Sequence, residues 1–123
     1  MTSPSDAQAR LARRRLAEDR SETLDRLSGL ERERAGIVEA TESANSDDEH
    51  DPEGATIAFE REHTTALLER ARQHLAEIDA ALRRLDEGGY GTCATCGQPI
   101  AADRLAARPT ATTCIRCATH PRP

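Results

Sequence analysis

Four cysteines near the C-terminal end carry the most specific chemistry in the chain. Cys93 and Cys96 form one C-x2-C pair, Cys114 and Cys117 form a second, and seventeen residues separate the pairs. Each pair sets two thiolates on a tight turn facing one metal. Gly97, directly after Cys96, supplies the backbone freedom that such a turn needs. Four thiolates at about 2.3 Å complete a tetrahedron and leave no position for a catalytic water. The spacing therefore predicts one structural zinc ion (Zn2+). Two disulfides or a redox dithiol are the alternatives. A redox C-x2-C opens a helix beside β-strands, and no strand pattern surrounds these cysteines. Arg104, Arg108 and Arg116 lie between or beside the pairs. They either offset the net −2 of a zinc tetrathiolate or stand as solvated surface. His120, just past the last cysteine, reads as a tail residue.

The elements that position this site are helical. The chain has 123 residues, 32% charged, 37% hydrophobic and 2% aromatic. That is one small domain with little aromatic bulk, which can fold by burying a narrow seam as a coiled coil does. A helix start is signalled at Ser3-Pro4 or Ser5-Asp6, and helical character runs to about Thr41. Its apolar stripe is Leu16, Leu24, Leu27, Leu30, Ile37 and Val38, interrupted by Arg13, Arg20 and Arg34. Gly36 is its weak point, costing about 1 kcal/mol against alanine. Glu42 to His50 is polar and acidic and reads as a loop. Asp51-Pro52 then gives an N-cap and a first-turn proline.

The second helix carries a heptad seam. One position holds Ile57, Thr64, Ala71, Ile78 and Leu85, and the other holds Arg61, Leu68, Leu75 and Leu82. Its apolar quality rises toward Leu85, so packing should be best near the cysteines. Gly88-Gly89 stops the helix. The fold expected is mainly α: a long antiparallel two-helix coiled-coil hairpin over 1–87, with an acidic tip loop around 42–51. A small C-terminal zinc-finger knob built on the four cysteines follows over 88–120.

The run from Tyr90 through Gly91, Cys93, Cys96 and Gly97 to Ile100, then Arg104, Leu105, Ala107, Arg108, Pro109, Thr110 and Ala111 up to Cys114 and Cys117, resembles the DksA/TraR C4-type zinc finger. The family pattern is aromatic-Gly-x-C-x-x-C-G, an isoleucine, R-L-x-A-x-P-T-A, then C-x-x-C. Arg104, Leu105, Arg108 and Pro109 are the finger residues matched to it. The resemblance implies a transcription factor that binds RNA polymerase, its coiled coil entering the secondary channel with acidic tip residues approaching the catalytic centre. The family's tip pattern D-x-x-D-x-A falls on His50, Glu53 and Ala55 without a gap, or on Asp51, Gly54 and Thr56 with one gap. Neither reproduces it, yet Asp47, Asp48, Asp51 and Glu53 keep the tip acidic. The family also helps to bind the alarmone guanosine tetraphosphate through three basic positions. Here these fall on Glu77, Arg108 and Ala118, which predicts a regulator whose effect is largely independent of the nucleotide.

Other classes fit less well. A net charge of −5, with Phe59 and Tyr90 as the only aromatics, argues against direct nucleic-acid binding. The cluster Arg13, Arg14, Arg15 faces acids at Glu18 and Asp19 and reads as a salt-bridged helix face. No nucleophile–base pair, phosphate loop or open metal site suggests an enzyme. A zinc-stapled coiled-coil interaction module that never touches polymerase remains the alternative. Nothing resembles a signal peptide or membrane span, so the expected location is cytoplasmic, where thiols stay reduced.

Overall fold

The computed structural model describes residues 5–44 and 52–120. Two long helices dominate it, α1 (Asp6–Ala44) and α2 (Pro52–Glu87), followed by two short ones, α3 (Ala102–Ala107) and α4 (Ile115–Thr119). Among the described residues there is no strand, only an isolated bridge between Thr92 and Pro99.

Of the two expected starts for α1, Ser5 is used, and it forms a reciprocal capping box. The Gln8 backbone N–H donates to Ser5 Oγ at 3.2 Å, and the Ser5 N–H donates to Gln8 Oε1 at 2.9 Å. At its other end α1 runs past Thr41. Glu42, Ser43 and Ala44 remain helical, where a loop was expected, because no glycine or proline interrupts them. The rest of the expected loop, 45–51, lies outside the described residues, as does the Asp51 cap. Gly36 does not break α1.

The chain forms two compact units, one of Met1–Ser21 with Ala76–Pro123 and one of Glu22–Leu75. In the first, Leu16, Ile78, Ala81 and Tyr90 form a buried cluster with Ala12, Leu82, Leu85 and Leu105 packed against it. Arg13 pairs with Asp86 and Arg20 with Asp79, both at 2.8 Å. One heptad forward on α1 thus matches one heptad back on α2, so the segments are antiparallel. Arg13 and Arg20, two of the arginines that seemed to interrupt the apolar stripe, flank the seam instead. The first pair is exposed and the second half-buried, and solvent-accessible pairs of this kind are worth about 1 kcal/mol or less each and serve mainly to mark the register.

In the second unit, Leu27, Leu30, Leu68 and Ala71 form the core, with Leu67 and Leu75 against it, and Arg72 faces Glu31 at 3.6 Å. Three seam assignments change. Leu24 is 39% exposed, whereas Thr23 is fully buried. The seam keeps a seven-residue step through Leu16, Thr23 and Leu30, and Leu24 lies one residue, about 100°, off that line. Arg61 is exposed, whereas Ala81 is fully buried. Leu75 is only half-buried. Thr64 is the first buried residue of α2 among those described. No buried side-chain nitrogen or oxygen among the described residues lacks a hydrogen-bond partner.

Candidate metal centre

The first cysteine pair hangs from the end of α2. Gly88 turns left-handed at φ 85°, and the N–H groups of Gly89 and Tyr90 donate to the Arg84 carbonyl at 2.9 and 3.2 Å. This is a Schellman closure, which only a residue without Cβ enters cheaply. Tyr90 then drops into the core at 4% exposed, its hydroxyl donating to the Pro109 carbonyl at 2.7 Å. Burial pushes the Tyr90 phenol up and the neighbouring Arg84 guanidinium down.

From there the chain makes the first knuckle. The Cys93 N–H donates to the Gln98 carbonyl at 2.8 Å and the Gly97 N–H to the Cys93 carbonyl at 2.9 Å. Gly97 sits at φ 75°, the conformation its position was expected to require. The Ile100 N–H reaches the Gly91 carbonyl at 2.7 Å and closes the loop.

The second pair is held by the chain between them. The Ala94 N–H donates to the Thr112 carbonyl at 2.8 Å, linking the first knuckle to the approach of the second. Arg104 Nε donates to the Thr113 carbonyl at 2.8 Å, so this arginine braces the residue before Cys114. Cys114 stands at the N-cap of α4, and Cys117 lies within that helix. Arg108 and Arg116 are exposed, and Leu105 is half-buried.

These turns bring the four sulfurs within 4.8 Å of one another, and Cys96 Sγ lies 3.8 Å from Cys114 Sγ. A tetrahedron with metal–sulfur bonds of about 2.3 Å has edges of about 3.8 Å, so the set fits one zinc ion. His120 stands outside the cluster. Backbone N–H groups, that of Cys96 first and then that of Cys114, pull the Cys93 thiol down to about 6. The Cys117 N–H similarly lowers Cys114. Cys117 itself is pushed up to about 12, chiefly by its hydrogen bond with Cys114. Sulfurs this close share protons unequally through their hydrogen bonds, and a dication would displace those protons and offset half of the resulting charge. The arrangement suits a closed structural site, since all four coordination positions are taken.

Of the acidic tip residues, Asp47, Asp48 and Asp51 lie outside the described residues. Glu53 belongs to the first turn of α2, and its side chain is also outside them. Tyr90 is the residue whose weight the sequence understated. It was legible as an aromatic before a glycine, but not as the strut that joins the finger to the α1–α2 core.

The family model for the prokaryotic DksA/TraR C4-type zinc finger matches residues 88–119. The solved structure of transcription factor DksA2 from Pseudomonas aeruginosa is 33% identical and superposes with a TM-score of 0.79. It covers 94% of this chain and 84% of its own. The chain belongs to the DksA/TraR family. Among curated relatives, an uncharacterised Bacillus subtilis protein, YteA, is 42% identical over 66 residues, 54% of this chain and 28% of its own length. The RNA polymerase-binding transcription factor DksA of Caulobacter vibrioides is 52% identical over 44 residues, 36% of this chain and 31% of its own. The stretches matched to these two curated relatives are therefore about a third of their length. The DksA/TraR assignment makes this a C4 zinc-finger protein with metal-binding cysteines on a helical hairpin. No helix among the described residues is long and apolar enough to cross a membrane.

Proposed function

We propose that the protein is a transcription regulator that binds RNA polymerase through the secondary channel, with one structural zinc on Cys93, Cys96, Cys114 and Cys117. The observation that carries this reading is the likeness to transcription factor DksA2 along 94% of the chain, helices included. A shared finger alone would support only a shared knob.

In this reading the helices bring the acidic tip, with Asp47, Asp48, Asp51 and Glu53, toward the catalytic centre. The tip acts by its negative charge, since the family's spacing of aspartates is absent. The matched finger residues have structural work: Arg104 braces Thr113, the Pro109 carbonyl receives the Tyr90 hydroxyl, and Leu105 packs on the core beneath. Arg108 is exposed and keeps its cation. The partner positions Glu77 and Ala118 are also exposed and offer an anion and a methyl group. A polyphosphate needs several cations, so in this reading regulation is largely independent of guanosine tetraphosphate.

Affinity capture from lysate, followed by transcription with the captured polymerase, tests the reading. Polymerase subunits should co-purify with the chain. Replacing Asp48 and Asp51 by asparagine should change transcription while leaving capture intact. Absence of polymerase from the capture would leave the zinc-stapled interaction module as the better description.

A further inference from the structure

Within the unit that carries the zinc site, an open groove of about 590 Å³ runs between the first turns of α1 and the finger. Its floor is Tyr90 and Ile100, 4% and 5% exposed. One wall is α1, with Leu11 and Arg15 one helical turn apart, and the other is α3, with Asp103 and Ala106. The groove is preformed. The Tyr90 hydroxyl is tied to Pro109, the Ile100 N–H is tied to Gly91, and the start of α1 is fixed by the Ser5–Gln8 capping box. A site of this size with a rigid apolar floor suits an inserted side chain, because little ordering remains to be done on binding.

Leu11 does not join the core cluster beside it and is 43% exposed at the groove's lip. The guanidiniums around it are the second observation. Arg13 is engaged by Asp86, but among the described residues no carboxylate lies within ion-pair distance of Arg10, Arg14 or Arg15. Among the described residues, Asp103 is the only acid lining the groove. The unit as a whole carries eleven arginines against eight carboxylates, whereas the other carries six against fourteen. A zinc tetrathiolate takes two charges from the first unit's surplus and leaves it positive. The basic lip is therefore local and belongs to the α1 wall.

We propose that this groove is a docking site for an acidic segment of RNA polymerase that inserts an apolar side chain between α1 and α3. The apolar group would cover Leu11 and the Tyr90–Ile100 floor, and flanking aspartates or glutamates would pair with Arg14 and Arg15. A symmetric pairing of two copies through this face would set the same arginines against one another, so the charge of the lip selects an acidic partner over that pairing. The proposal rests on the polymerase reading above and names one contact within it.

Titration of purified core RNA polymerase with the full-length, zinc-loaded chain tests it. Leu11→Glu should weaken binding about tenfold or more, as loss of a buried anchor does. Ala106→Glu on the opposite wall should do the same, which guards against misfolding of either variant. Ala17→Glu, exposed on α1 and outside the groove, should bind as the parent does. Replacing Arg14 and Arg15 by glutamine should lower affinity and flatten its dependence on salt. Zinc content and helicity are measured on each variant. Unchanged binding by both Leu11→Glu and Ala106→Glu would overturn this proposal alone. Failure of the parent chain to bind would overturn it together with the polymerase reading. A shift from dimer to monomer in Leu11→Glu, with polymerase binding kept, would assign the groove to a second copy and overturn the proposal as well.

Discussion

Cys93 is the one thiol of the four that is buried, at 2% exposed, and it sits three residues from Tyr90. The metal site and the helical core are therefore joined through a short, stiff piece of chain. Cys96, Cys114 and Cys117 are half-buried, so an ion bound among them draws its strength from the sulfurs rather than from a dry cavity. At this scale the sequence was most informative. Ligand identity and spacing follow from the requirement for tetrahedral thiolates, and Gly97 follows from the turn. The support from outside the ligand set was harder to see. The bond from Arg104 to the Thr113 carbonyl and that from Tyr90 to the Pro109 carbonyl end on backbone atoms, which carry no sequence signature. Cys96→Ser should lose the zinc, because three thiolates and a hydroxyl hold it poorly and metal binding is folding energy at such sites. Elemental analysis reads the loss. Hydrogen exchange should show the Ala94 amide, bonded to Thr112, losing protection well before the amides around Ile78. Full zinc retention would refute the assignment of the ligands.

Helix register is the next scale. The sequence placed α2 in part: Thr64, Leu68, Ala71 and Ile78 are buried on the heptad seam, whereas Arg61 is exposed and Leu75 half-buried. It misplaced part of α1 because residue type and position disagree there. Thr23 lies on the seam and Leu24 beside it, and a reading that ranks leucine above threonine picks the wrong one. Small seam residues were missed for the same reason: Ala81 is fully buried yet carries little hydrophobic weight. The end of α1 at Ala44 was blurred because no residue there forbids helix. The register makes a contrast that thermal or denaturant unfolding can read. Ile78→Ala, at a fully buried position, should cost about 2–5 kcal/mol. Arg72→Ala removes an exposed ion pair at 3.6 Å and should stay within about 0.5 kcal/mol. Leu75→Ala, half-buried, should fall between them. Equal costs for Ile78→Ala and Arg72→Ala would mean that the seam runs along another face.

At the scale of the whole molecule, charge follows the division into units. The unit bearing the zinc site holds a surplus of arginine, and the unit of Glu22–Leu75 holds fourteen carboxylates against six arginines. The overall −5 hides this contrast, so net charge argued against nucleic acid without revealing where a protein partner would be met. A charge division of this kind suits the regulator proposed above, with acid in one unit and guanidinium in the other. Zinc would join the two cysteine pairs, and Tyr90 ties the finger to the core, so the polymerase binding proposed above should depend on the metal. Saturation binding of purified core RNA polymerase, comparing the zinc-loaded chain with Cys96→Ser, tests that account most directly. The zinc-loaded chain should saturate the enzyme at one copy each, and the substituted chain should bind at least about tenfold more weakly. Absence of saturable binding by the zinc-loaded chain, or equal binding by the two, would contradict it.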